Sequence, residues 1–268
     1  MRDPPSARAE PEVSNPFTRS AHSVGPRSNR LPPILRPAAL KALRQRMLLT
    51  RQASLDRLAH LAGCDRERLR TYRQEIQTDG VAAQLLARGA GLAFVRELPQ
   101  GPLFYLLVRA LRPARVVETG VRPGYSTTWI LAGLEANHFG ELTSLGPGSS
   151  AGRTEGVDNV GVGQFVPPSL RGRWTLVLGN TEERFRAILA SSPAIDLFFY
   201  DNGPDATRAR FEIKNAWEAL SERGVLLAHH VDASGAWNDF CALQGLPPQI
   251  LDPGPPPLGA LSMRRGTT

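Results

Sequence analysis

Cysteine is nearly absent from this chain. Cys64 and Cys241 are the only two in 268 residues, and neither belongs to a Cys-x-x-Cys pair. That excludes a disulfide framework and a zinc knuckle as organising features, and a reducing cytoplasm is the expected compartment. No apolar run approaches the ~20 residues of a membrane span, so no membrane partner is expected. The first residues are polar and proline-rich and do not read as a secretory signal. Basic charge is abundant in total but scarce over most of the chain. Residues 1–46 hold eight Arg and one Lys against three acids, which is +6 of the formal net charge of +7. The rest carries +1 and offers no basic face with interleaved aromatics, so nucleic acid is an unlikely partner.

Residues 1–36 include Pro4, Pro5, Pro11, Pro16, Pro26, Pro32 and Pro33 and few apolar residues. Such a composition buries too little surface to offset chain entropy, so a disordered basic arm is expected over 1–36. Apolar residues then recur at helical spacing: Leu40, Leu43, Met47 and Leu48, then Leu55, Leu58, Ala59 and Leu61 up to Gly63, then Leu69, Tyr72 and Ile76 from Asp65. Residues 81–98 continue in that style. Residues 37–100 therefore read as a helical cap or an oligomerisation layer, which suggests a homo-oligomer. Met47 and Tyr72 are expected in its core.

From Gly101 the pattern changes. A helix over 103–111 leads into a strand at Val116-Val117. Strands follow at 141–145, 174–178, 195–200, 224–228 and 259–263, with helices over 126–136, 181–190, 206–220 and 234–243. Alternation of this kind predicts an α/β domain over 101–268 with a parallel sheet covered on both faces. Ligands of such sheets bind at the carboxyl ends of the strands. The first strand passes through Glu118-Thr119-Gly120-Val121-Arg122-Pro123-Gly124 into Tyr125-Ser126. A strand that becomes a helix through glycines lets backbone approach a ligand and aims helix N–H groups at it. An ordinary turn is the alternative.

Several stretches carry a family likeness. They are Arg112 to Val121 with Gly124 and Ser126, Trp174 to Asn180, Ile195 to Asp201, and Phe211 to Trp217. In these the chain resembles the class I S-adenosylmethionine-dependent methyltransferases, and more narrowly the group with the macrolide-sugar O-methyltransferases and the cephalosporin hydroxylases. The resemblance implies a Rossmann-like fold with a mostly parallel seven-stranded sheet. It also implies S-adenosylmethionine as cofactor, with Glu118, Thr119, Gly120, Gly124, Tyr125, Ser126, Gly146 and Asn180 as its binding residues. Glu118 matches the acid that begins the family's cofactor motif, and it could instead hold the turn itself.

The departures fall at strand ends. The second strand of such enzymes usually ends in an acid that binds the cofactor ribose, and here Gly146 stands there. After the fourth strand the family reads Asp-Ser-x-His-Thr-Tyr, with the His as base. This chain reads Asp201-Asn202-Gly203-Pro204-Asp205-Ala206. After the fifth strand the family's metal-binding Asp-Asp is replaced by His229-His230. Asp201, His229 and His230 are thus candidate catalytic residues and candidate ligands for a divalent metal. Three oxygen ligands suit Mg, whereas two imidazoles and a carboxylate suit Fe, Zn or Mn. Both imidazoles reach one ion only if the strand has already become loop. Asp205 is either a replacement base or a helix N-cap.

Three functions follow as expectations. The first is an S-adenosylmethionine-dependent O-methyltransferase acting on a small-molecule specialised metabolite. The second is an enzyme with the same fold and changed chemistry, either metal-dependent or a metal-free cyclase or isomerase. The third is a non-catalytic homologue.

Overall fold

The structure is a computed structural model. It describes residues 52–78, 100–147, 161–179, 182–191, 194–254 and 256–264. Every described residue lies within the unit Leu35–Thr268. The expected arm at 1–36, the helical runs around Leu40–Leu48 and 81–98, and Asn180 lie outside the described residues.

Seven strands form one sheet. They are β1 (Arg115–Thr119), β2 (Glu141–Gly146), β3 (Trp174–Leu178), β4 (Ile195–Tyr200), β5 (Leu220–His229), β6 (Ile250–Asp252) and β7 (Leu258–Ser262). Their order is β3-β2-β1-β4-β5-β7-β6. The first five are parallel, and β7 runs antiparallel to both its neighbours. The helices are α1 (Gln52–Ala62), α2 (Arg66–Thr78), α3 (Gly101–Leu111), α4 (Tyr125–Asn137), α5 (Glu182–Ser191), α6 (Ala206–Glu218) and α7 (Ala236–Leu243).

The two-residue period of a strand sends alternate side chains to opposite faces, and β4 shows what this builds. Leu197 and Phe199 enter a core shared with α1, α2, α3 and α4. Phe198 and Tyr200 enter a second core shared with α5, α6 and α7. The expected α/β architecture, a mostly parallel sheet covered on both faces, is therefore present. Helices α1 and α2 follow the spacing read from the sequence. Leu58, Leu69 and Ile76 are almost wholly buried, as is Tyr72, in the same core as α3.

Two strands depart from expectation. β5 begins at Leu220, not 224, because Leu220 pairs with Ile195 ahead of a register shift. The polar Ser221-Glu222-Arg223 hides that start. β6 has three residues between Pro248 and Pro253, too short for a pattern of its own. Gln100 and α1 reach this edge: the Gln100 amide donates to Asp252 Oδ2 at 3.1 Å and Arg57 donates to the Ile250 carbonyl at 2.6 Å.

Arg109 ties the helical layer together. It donates to both carboxylate oxygens of Glu75 at 2.8 Å, to the Ala136 carbonyl at 3.0 Å and to Asn137 Oδ1. Its guanidinium also lies 4.5 Å from the centre of the Tyr72 ring. Arg109→Ala strands a half-buried Glu75 carboxylate, and we expect a loss of about 2 kcal/mol. A thermal melt checks this, with a fall in Tm of at least a few degrees as the expected result.

Candidate active site

The carboxyl ends of β1 and β4 touch through bare backbone. Gly120 has φ +88°, and a Cβ there would sit 2.1 Å from the Asp201 carbonyl oxygen. The Asp201 N–H donates to the Thr119 carbonyl at 2.9 Å, and the Gly120 N–H donates to the Leu145 carbonyl at 3.0 Å. Only glycine fits between these neighbours in this conformation. The chain then turns through Arg122 (φ 43°) and Gly124 (φ 91°) into α4. No side chain caps that helix start, so its first N–H groups have no side-chain acceptor. Residues after β2 lie against the turn: the Gly163 N–H donates to the Arg122 carbonyl and the Phe165 N–H to the Pro123 carbonyl, both at 2.9 Å.

Glu118 holds the turn from beneath. It is fully buried and accepts from Ser126 Oγ at 2.6 Å, Thr127 Oγ1 at 2.7 Å and Ser144 Oγ at 2.9 Å. Ser144 in turn accepts from the Trp174 indole at 3.0 Å. One carboxylate thus ties the start of α4 to β2 and β3. This is the turn-holding role, made through hydroxyls. Ser126 is engaged by the same contact. Thr119 is buried, and so is Tyr125, whose hydroxyl pKa burial raises. Ser144, Thr127 and Trp174 are the partners that sequence reasoning missed. A polar Ser144 in the buried half of β2, next to Leu145, was the available signal, since buried polar groups need partners.

Burial is the main cause that raises the Glu118 pKa, from 4.5 to about 7; the three hydroxyls oppose it and the charge of Asp201 adds to it. A folded pKa above the unfolded one means a contribution that is complete below pH 4.5 and is lost as pH rises through about 7. The swing is on the order of 3 kcal/mol. Urea unfolding at pH 5 and pH 8 tests this: the parent protein loses stability across the window, and Glu118→Gln flattens the slope.

Asp201, His229 and His230 do come together. His229 closes β5, its side chain wholly buried, and its Nδ1 lies 3.1 Å from Asp201 Oδ1. Its ring stands edge-on to Phe104 and Phe199. Its Nε2 is buried with no hydrogen-bond partner among the described residues. Because the carboxylate accepts, Nδ1 is the protonated nitrogen of this pair. His230 has left the strand, with φ +57°. Its half-exposed ring places Nε2 3.9 Å from the same Asp201 oxygen. Burial lowers the His230 pKa below 6.5; Asp201 and Asp232 oppose this, while His229 and Arg122 add to it. The imidazole is therefore neutral at pH 7 and able to take a proton.

The geometry adds no support for the metal reading. His229 Nδ1 and Asp201 Oδ1 engage each other at 3.1 Å, so as they stand these two atoms do not share an ion. No group of three His, Cys, Asp or Glu side chains among the described residues is arranged to hold a metal ion. Asp205 is the N-cap of α6, accepting from Thr207 N at 2.9 Å and Arg208 N at 3.1 Å. Its carboxylate is held by the helix, which argues against the replacement base. At the end of β2, a Cβ on Gly146 would lie 3.0 Å from a Val162 methyl carbon. The place of the ribose acid is thus apolar. The uncapped start of α4 fits the amino-acid end of S-adenosylmethionine, whereas among the described residues at the β2 end no side chain is placed to hydrogen-bond a ribose.

Residues 117–231 match the family model described as a methyltransferase domain. That stretch runs from within β1 to just past His230, so it holds the glycine turn, Asp201 and both histidines. The protein has the α/β Rossmann-like methyltransferase fold. Among solved structures, it is similar to a provisionally named caffeoyl-CoA O-methyltransferase from Staphylococcus aureus. That match has 14% identity and a TM-score of 0.50, over 74% of this chain and 99% of that one. An O-methyltransferase from Bacillus cereus in complex with S-adenosylhomocysteine matches at 17% identity and a TM-score of 0.49, over 72% and 99%. No curated protein matches the chain.

Proposed function

We propose that the protein is an S-adenosylmethionine-dependent O-methyltransferase acting on a hydroxyl of a small molecule. The observation that carries this reading is the part-exposed His230 imidazole, its Nε2 3.9 Å from Asp201 Oδ1 at the strand ends of the stretch that matches a methyltransferase domain. The cofactor, when bound, supplies an electrophilic methyl group. The turn from Gly120 to Gly124 and the start of α4 would hold its amino-acid end. His230 takes the proton of the acceptor hydroxyl as that oxygen becomes the nucleophile. Asp201, oriented by His229, faces the imidazolium that results and steadies it. Proton transfer of this kind contributes roughly 10²–10⁴ in rate, and the remainder is orientation.

Gly146 and Val162 favour a second reading. An apolar β2 end suits a ligand with no ribose there, and metal-free cyclisation or isomerisation on the same His230 base would need no cofactor. Calorimetry with S-adenosylmethionine and S-adenosylhomocysteine separates the two, since methyl transfer requires both to bind. If they bind, His230→Ala should lower kcat by roughly 10²–10⁴ and leave the affinity for S-adenosylhomocysteine unchanged. Absence of binding by either compound removes the methyl-transfer reading.

A further inference from the structure

Four described residues other than glycine have left-handed backbone: Arg112, Arg122, His138 and His230. Arg112 and His138 are the C-caps of α3 and α4, a position where that conformation is routine. Arg122 and His230 cap no helix. They sit at the ends of β1 and β5, and the charge of Arg122 is felt at His230. Unfavourable backbone away from caps concentrates where a ligand is handled.

Arg122 is held but not neutralised. Its carbonyl accepts from Gly163 N–H, and its Nη2 lies 3.7 Å from where a Cβ of Gly203 would be. Gly203 is itself fixed, since its carbonyl accepts from the Tyr200 hydroxyl at 3.0 Å. Many described arginines have acids: Arg109 has Glu75, Arg173 has Glu135 and Arg210 has Asp239. Arg122 has no hydrogen bond or ion pair from its side chain among the described residues. Asp201 is engaged by His229, Glu118 by three hydroxyls and Asp205 by the start of α6, and Asp232 beside His230 forms no ion pair with Arg122.

The geometry points to Arg122 as the docking point for an oxyanion, a carboxylate or phosphate carried by the ligand of this cleft, set beside the His230 base. A guanidinium is the side chain suited to such groups, because its planar fork offers paired donors. The inference deepens the methyl-transfer reading by naming a ligand class. Two sources share this chemistry: the carboxylate of the cofactor and an anionic group on the acceptor.

The test uses the parent protein, Arg122→Gln and Arg122→Gly, the last of which tolerates the left-handed backbone and guards against misfolding. S-adenosylhomocysteine is titrated by calorimetry. Inorganic phosphate is titrated at constant ionic strength while the Arg122 side-chain N–H is followed by NMR. A roughly tenfold weaker affinity for S-adenosylhomocysteine in both variants assigns the anion to the cofactor. Unchanged affinity for that compound, with phosphate shifting the Arg122 N–H in the parent, assigns it to the acceptor. If S-adenosylhomocysteine fails to bind the parent, the methyl-transfer reading falls and the phosphate arm alone decides on Arg122. Unmoved Arg122 N–H signals, with no loss of S-adenosylhomocysteine affinity in either variant, overturn the assignment.

Discussion

The contact between Gly120 and the backbone of Asp201 is the constraint on which the site depends. Space for a Cβ is missing, and a Cβ would meet the Asp201 carbonyl oxygen at 2.1 Å. Because the two strand ends meet through backbone, Asp201 is anchored by its own N–H to Thr119, and its carboxylate is free to face β5. There it meets His229 at 3.1 Å and lies 3.9 Å from His230. Loosening that contact would unseat the acid, the imidazole it engages and the turn that follows.

The second theme is the division of polar groups between fold and ligand. Glu118, Asp205 and Glu212 all serve the fold: one holds the glycine turn, one caps a helix, and one accepts twice from Asn202 at 2.8 Å. Burying a carboxylate is unfavourable unless donors surround it, and the buried Glu118 and Glu212 both have donors. Arg122, His230 and the uncapped start of α4 remain for a ligand, with the exposed Asp232 beside His230. Burial is the main cause that lowers the His230 pKa. That setting suits a group that must accept a proton near neutral pH.

Much of the fold was legible because it rests on periodicity. The alternation of Leu197, Phe198, Phe199 and Tyr200 between two cores is a direct consequence of strand geometry, and Gly120 and Gly124 fall where the turn needs them. The meeting of Asp201 with both histidines was legible from one helix and one strand of separation. Its meaning was not, because ligand and hydrogen-bond donor are distinguished by an angle and a proton that no spacing encodes. The Glu118 network was also hidden, since Ser144 and Trp174 reach it from other strands. The apolar filling beside Gly146 comes from Val162, on a connection whose path carries no repeat. β6 escaped notice because three residues between prolines show no alternation.

The central claim is that the strand-end contact presents Asp201 to His229 and leaves His230 for the ligand. A long-range 1H–15N spectrum of the histidine side chains at pH 7.5 tests it directly, with His229 and His230 assigned by single substitutions. The account predicts a proton bonded to Nδ1 of His229, in the hydrogen bond to Asp201. A neutral His229 ring protonated only at Nε2 would mean that Asp201 is not held by this residue, and the site as described would be wrong.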